Sequence, residues 1–112
     1  MAEMTDEEFR RAVAGARAFT ALILRATPQR NQPGAEAIIV EHAKRNFALR
    51  EQGLLQIVVT IADETDVRGI GIFSATPEEV RSIYEDDPAV KAGLFTFEVH
   101  PCQGFPGDAL KA

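Results

Sequence analysis

Four stretches of the chain predict β-strands from the spacing of their apolar side chains. They lie at 19–27, 54–62, 69–75 and 94–101. The first is almost wholly apolar and is followed by the loop-forming run PQRNQPG, which is typical of a buried strand. The other three alternate apolar and polar side chains, and a short polar link between the second and the third predicts a hairpin. Pro101 is expected to end the fourth strand and to leave an irregular tail.

Three other stretches predict helices. Thr5 or Asp6 is a suitable N-cap for a short helix near the start of the chain, because acidic residues follow in its first turn. The longest helix is predicted at 35–52, where helix-forming residues carry an apolar stripe. In the run TPEEV, Thr76 is the predicted N-cap and Glu79 completes a capping box, so a third helix begins there.

The order of these elements defines the fold class. After the first helix they run β-α-β-β-α-β, the ferredoxin-like arrangement of an α+β protein, in which a four-stranded antiparallel sheet carries the helices on one face. Residues 1–17 are therefore assigned to an N-terminal helical extension and residues 18–112 to the ferredoxin-like domain. The other sheet face is expected to carry apolar side chains such as Val58 and Phe73, which a second copy of the chain would cover. The sequence thus predicts a homodimer.

Composition and charge narrow the classes of partner. A chain of 112 residues has the size of one domain, and 46% hydrophobic residues suffice for one core. Because the net charge is -5, no nucleic acid is expected, since binding to its backbone depends on an excess of cations. The single cysteine, Cys102, cannot form an internal disulfide, which favours a cytoplasmic location. No apolar run reaches the length of a membrane span, so no membrane partner is expected.

Three runs of the sequence are similar to those of one protein family. They are EHAKRNFALREQGLL in the long helix, IADETDVRGIGIF across the hairpin, and DDPAVKAGLFTFEVHP at the last strand. They resemble the YCII-related (YciI-like) proteins of the dimeric α/β-barrel superfamily, over residues 19–101. The resemblance implies that the sheets of two subunits face each other and close a barrel. It also implies a pocket for a small molecule in which a His and an Asp form a catalytic pair.

His42, Asp87 and Asp63 are the candidates for that pair. His42 lies on the long helix, and histidine is the side chain best suited to exchange protons near neutral pH. A half-buried histidine with no catalytic role is the alternative. Asp87 precedes a proline and also fits as a helix N-cap, and the two roles are compatible because a capping carboxylate is held in place. Asp63 is the second candidate partner of His42, although aspartate is common in turns.

Other polar residues are candidates for substrate binding. Glu98 and His100 alternate onto the sheet face that would line the barrel, together with Thr60. Arg25, near the end of the first strand, can hold an anionic substrate. For these side chains, solvent exposure at a rim is the alternative. The two histidines are not spaced as metal ligands, so no metal is predicted. The enzyme that the resemblance implies uses no cofactor.

The resemblance also suggests a class of reaction. The family's relatives include a dehydrochlorinase that acts on a chlorinated hydroxyquinol and, in the wider superfamily, muconolactone isomerases. The expected activity is therefore of the lyase or isomerase type, with His42 abstracting a proton and a small aromatic or enol-forming molecule then undergoing elimination or isomerisation. The alternative is a non-catalytic module that binds a small molecule or mediates dimerisation.

Overall fold

A computed structural model describes residues 2–112 as one antiparallel sheet with helices packed against it. The helices are α1 (Asp6–Ala14), α2 (Ala35–Glu51), α3 (Pro77–Glu85) and the one-turn α4 (Pro88–Lys91), with a short 3₁₀ helix at Pro28–Asn31. The strands are β1 (Arg17–Ala26), β2 (Leu55–Thr60), β3 (Val67–Phe73) and β4 (Phe95–Gly104). Over residues 2–112, no helix is long and apolar enough to cross a membrane.

The strand order across the sheet is β2-β3-β1-β4, and each neighbouring pair is antiparallel. This is the order of the ferredoxin-like fold, so the predicted fold class is confirmed. One core cluster joins the sheet to α2 and α3 and consists of Leu22, Leu49, Leu55, Phe73, Val80 and Tyr84. A second cluster consists of Leu24, Ala35, Ala89, Leu94 and Phe95. Because it contains Ala35 of α2 and Ala89 of α4, the second cluster holds these two helices together.

A β-bulge in β2 changes which side chains lie on each face of the sheet. The pairing of β2 with β3 shifts between Leu55 and Ile57. Leu55 therefore packs in the core while Ile57 lies on the other face, and Val58 packs against the core. Phe73 is fully buried among the helices. The expectation that Val58 and Phe73 lie on the uncovered face is therefore wrong.

The sheet face that carries no helix is apolar, but with different residues. We call it the open face. Its apolar side chains form two neighbouring rows across three strands, with Ala21, Ile72 and Ile57 in one row and Ile23, Ile70 and Val59 in the next. A contiguous apolar surface on a sheet favours a covering partner, so a second copy of the chain is still expected on this face.

β4 continues past Pro101 to Gly104. Pro101 pairs with Thr20, and the residues that follow it pair with the beginning of β1. β4 is an edge strand, so its outer side has no ladder of hydrogen bonds for a proline to interrupt. The expectation that the strand ends at Pro101 is wrong, and the irregular tail begins only after Gly104.

α1 stands away from the core. Thr5 caps it with the capping box to Glu8, so Thr5 is the N-cap of the two residues considered. Across Asp6–Ala14 no side chain is buried, and Phe9 is exposed. The chain enters β1 at Arg17, two residues earlier than predicted. With this extension, the molecule measures 56 × 29 × 23 Å along its principal axes.

Candidate active site

Asp87 is fixed by the short helix that it begins. Its Oδ2 accepts hydrogen bonds from the backbone N–H groups of Ala89 at 3.0 Å and Val90 at 3.2 Å, so Asp87 caps α4 as predicted. Pro88 occupies the first helical position, where its missing N–H costs no hydrogen bond. Gly93 then leads away from the helix with a φ of 78°. The side chain of Asp87 is 0% exposed, so the cap is also a buried carboxylate.

His42 contacts this carboxylate from α2. The residue is 6% exposed. Its Nδ1 lies 2.9 Å from Oδ1 and 3.0 Å from Oδ2 of Asp87. An ionised carboxylate can only accept hydrogen bonds, so Nδ1 carries a proton and donates it. The two residues are 45 positions apart in the sequence, and packing of α4 against α2 brings them together as a buried pair.

A second set of hydrogen bonds reaches the other imidazole nitrogen. The hydroxyl group of Tyr84 donates to Oδ1 of Asn46 at 2.8 Å. The amide N–H of Asn46 then faces Nε2 of His42 at 3.3 Å, a long contact in which Nε2 is the acceptor. Sequence reasoning missed both partners, although Asn46 lies one helical turn from His42 at a spacing that brings side chains together. The lone pair of the neutral imidazole is therefore on Nε2.

Opposing effects set the charge of Asp87. Burial raises the pKa of its carboxyl group. The hydrogen bond from His42, the positive charge of that imidazole when it is protonated, and the backbone N–H groups of α4 outweigh burial and hold the pKa below its ordinary value. Arg45 adds a guanidinium nitrogen 3.6 Å from Oδ1. For Tyr84 the result is opposite, because burial and then the charge of Asp87 raise the pKa of its phenol. The site therefore contains an ionised Asp87 and a protonated Tyr84.

His42 also lines a pocket between α2 and the sheet. Its volume is about 340 Å³, within the range of small-molecule sites. The apolar residues that line this pocket with His42 include Leu24, Ile39, Phe47, Val58 and Phe95. The ring of Phe95 lies 5.2 Å from the imidazole, centroid to centroid. Thr60, which was expected on the barrel face, lines this pocket. His42, which can exchange protons, thus lines the same pocket as apolar side chains that suit a ring-shaped ligand.

Asp63 lies in the loop between β2 and β3. Its Oδ1 accepts from the backbone N–H of Thr65 at 3.0 Å and from the hydroxyl group of the same residue at 2.7 Å. These hydrogen bonds lower the pKa of its carboxyl group. They are the local contacts of a turn residue. The carboxylate in contact with His42 is therefore that of Asp87. Asp63 stabilises the loop between β2 and β3 through its hydrogen bonds to Thr65.

Arg25, Glu98 and His100 come together on the other side of the sheet. Nε of Arg25 lies 2.8 Å from a Glu98 oxygen, and its Nη1 lies 3.0 Å from an oxygen of Asp66. His100 lies 3.5 Å from the second oxygen of Glu98. None of these residues lines the pocket of His42, so their binding role remains a prediction for a site that two facing sheets would form. Within residues 2–112, no three His, Cys, Asp or Glu side chains cluster as a metal site requires.

Two features characterise this protein, its fold and the buried pair of His42 and Asp87. The fold is the ferredoxin-like fold of an α+β protein, and the buried pair lies at the wall of a pocket. Among solved structures, the chain is similar to 5-chloro-2-hydroxyhydroquinone dehydrochlorinase from Burkholderia phenoliruptrix AC1100 in complex with 2,5-dihydroxybenzoquinone. The two are 21% identical with a TM-score of 0.54, and the match covers 73% of this chain and 90% of that chain, which shows a shared fold. No protein-family model and no curated protein matches the sequence.

Proposed function

We propose that this protein is a small YCII-related enzyme in which His42 and Asp87 move a proton of a bound small molecule. The observation that carries the proposal is the buried contact of 2.9 Å between Nδ1 of His42 and Asp87, at the wall of an apolar pocket. A histidine that a carboxylate orients through Nδ1, and whose lone pair is on Nε2, has the arrangement of a general base. The shared fold with a dehydrochlorinase adds support by analogy.

The proposed reaction is an elimination or an isomerisation. Nε2 of His42 takes a proton from a carbon or hydroxyl group of the substrate, and the electron pair of the broken bond moves into a new double bond. In an elimination, a leaving group such as chloride departs with its electron pair, and the imidazolium later gives its proton to water. In an isomerisation, the imidazolium returns the proton at another position. Ionised Asp87 stabilises the imidazolium between these steps.

A homodimer is part of the proposal. The open face offers two rows of apolar side chains to the same face of a second copy, which is how isologous interfaces form. In such a dimer, Arg25, Glu98 and His100 lie between the two sheets. Their mutual pairing on the surface of one subunit suits that position, because polar groups in a closed interface need partners.

Turnover of a panel of compounds tests the catalytic proposal. The protein is incubated with chlorinated hydroxyquinols and with unsaturated lactones, and chloride release or the ultraviolet spectrum is recorded. We expect turnover of at least one compound, and we expect His42→Ala to lower its rate by about 100-fold or more, the scale of general base catalysis. Asp87→Asn should also lose activity. Asp86→Asn is its matched control, because that neighbouring aspartate is exposed and pairs with Lys91 at 2.9 Å.

Two outcomes count against the proposal. If His42→Ala keeps the wild-type rate, His42 is not the base. If the wild-type protein binds compounds of the panel but converts none of them, the result favours the alternative function, a non-catalytic module that binds small molecules. Binding measured by calorimetry on the same compounds distinguishes that case from a panel that lacks any ligand.

A further inference from the structure

We infer that the pocket beside His42 selects a small organic anion, a flat ring compound that bears a carboxylate or an ionised hydroxyl group. This inference rests on the proposed function because it names the substrate class of that same site. Three arginines line the pocket, Arg30, Arg50 and Arg68. Among residues 2–112 no carboxylate lines it, although the chain has 17 acidic residues and a net charge of -5. An acidic protein thus contains a concave site that is lined only by cations and neutral groups.

The arginines of the pocket differ from other arginines of the chain in their salt bridges. Elsewhere, Arg25 pairs with two carboxylates and Arg45 lies beside Asp87. Over residues 2–112, none of the three pocket arginines forms a salt bridge. A charge beside apolar walls is screened less than a charge in bulk water, so an anion that enters this pocket gains more from it. The pocket is therefore electrostatically complementary to an anion.

Local contacts restrain two of these guanidinium groups. Nη2 of Arg68 donates to the carbonyl oxygens of Asp63, at 3.1 Å, and Thr65. Nε of Arg68 is buried and, within the described part of the chain, has no hydrogen-bond partner. The guanidinium carbon of Arg50 lies 5.2 Å from the centroid of the Phe47 ring, a cation–π contact. Groups held in place lose less entropy when they bind.

A cationic wall also suits the proposed proton transfer. When His42 removes a proton, negative charge develops on the substrate, and guanidinium groups that are already in place stabilise that charge. The apolar walls around Phe47 and Phe95 accommodate the body of a ring. The apolar and the cationic residues of the lining together favour an apolar ring that bears an anionic group over a neutral hydrocarbon.

Benzoate and benzamide test the inference, because they have nearly the same shape and differ in charge. Each is titrated into the full-length protein, and amide chemical shifts are followed by NMR. We expect benzoate to bind at least about 10-fold more tightly, to shift the signals of Phe47 and Thr60, and to bind more weakly at high salt. Arg50→Gln and Arg30→Gln should each weaken benzoate binding by about 3- to 10-fold. Arg81→Gln, an exposed residue of α3 with the same change of charge, should leave it unchanged.

Three results overturn the inference. They are equal affinity for the two probes, no binding of either probe, and unchanged benzoate affinity in both Arg50→Gln and Arg30→Gln. Because the readout is binding, it is separate from turnover. Conversion of neutral substrates without any preference for benzoate supports the proposed function and overturns the inference. Selective benzoate binding by a protein that converts no compound supports the inference and counts against the proposed function.

Discussion

The imidazole of His42 has a different partner at each nitrogen. Asp87 accepts from Nδ1, and the amide group of Asn46 faces Nε2. The amide is itself oriented, because its oxygen accepts from the hydroxyl group of Tyr84. Asp87 and Asn46 thus favour the same tautomer of His42, in which the proton is on Nδ1. In this tautomer the basic nitrogen is Nε2, which does not contact Asp87, as a general base requires.

Asp87→Asn tests whether Asp87 holds the imidazole proton of His42 on Nδ1. The amide oxygen of the new side chain is expected to stay with the two backbone N–H donors of α4, which turns its NH₂ group toward Nδ1 of His42. A donor at that position forces Nδ1 to accept, so the proton moves to Nε2. Long-range ¹H–¹⁵N NMR spectra of the imidazole report this change directly. His100, which is exposed on β4, serves as the internal reference.

The pH dependence of stability gives a second test at Asp87. The pKa of its carboxyl group is lower in the folded protein than its ordinary value of about 4. Its ionised form therefore stabilises the fold above about pH 4, and this contribution is lost as the pH falls through the folded pKa. The free energy of unfolding of the wild type should thus fall toward that of Asp87→Asn in acid. Urea titrations of both proteins from pH 7 to 3 measure it, and a constant difference contradicts the prediction.

The pairing of Asp87 with His42 was within reach of the sequence, whereas the rest of the site was not. Asp before Pro is a local signal for a helix cap, and a family resemblance indicated His42. The contact of Asn46 with Tyr84 depends on how α2 packs against α3, over 38 positions of sequence. The arginines of the pocket are also brought together only by tertiary structure, since they come from three separate elements. Local patterns carry no information on such distances.

Two capping boxes of the same kind begin helices with different surroundings. Thr5 and Glu8 begin α1, and Thr76 and Glu79 begin α3. The hydrogen bonds are nearly identical, at 3.0 and 3.1 Å in both. Across Asp6–Ala14 no side chain is buried, whereas α3 buries Val80 and Tyr84 in the core. The same capping box therefore begins a helix that packs in the core in α3, and a helix that does not in α1.

Removal of each cap should separate these effects. Thr76→Ala is expected to lower the free energy of unfolding by about 1 kcal/mol, because the start of a core helix loses its cap. Thr5→Ala removes the same hydrogen bond from α1 and should change global stability by less than about 0.3 kcal/mol. Chemical unfolding of both variants provides the comparison. Equal losses of stability contradict it, since they indicate that α1 is part of the cooperative core.

At this scale the sequence predicted the four strands and the longer α-helices of the fold. It did not predict the 3₁₀ helix Pro28–Asn31, and its two errors about strands have physical causes. Alternation in β2 could not reveal the bulge between Leu55 and Ile57, because the inserted residue leaves the apolar pattern plausible on either face. A proline ends a central strand but can lie within an edge strand such as β4, where Pro101 is. The position of β4 at the edge depends on the whole sheet and is not visible in its own sequence. Both errors concern the environment of a strand rather than its existence.

The whole molecule has one sheet face that its own helices do not cover. Ile70 and Ile72 lie at the centre of the open face, between apolar residues of β1 and β2. The polar group of Arg25, Glu98 and His100 lies beside them on the same face. An apolar centre with a polar border is the usual composition of an interface between subunits. The open face is therefore where we expect the homodimer to form.

Ile72→Glu should convert the expected dimer into a monomer. A carboxylate at this position would be buried without a partner if two open faces met, and such burial costs several kcal/mol. Val40→Glu is the matched control, because Val40 lies on α2 and is 49% exposed, away from the open face. Sedimentation velocity at micromolar concentration should show a dimer for the wild type and for Val40→Glu. A monomeric wild type rules out the dimer, while a dimeric Ile72→Glu protein places the interface on another surface.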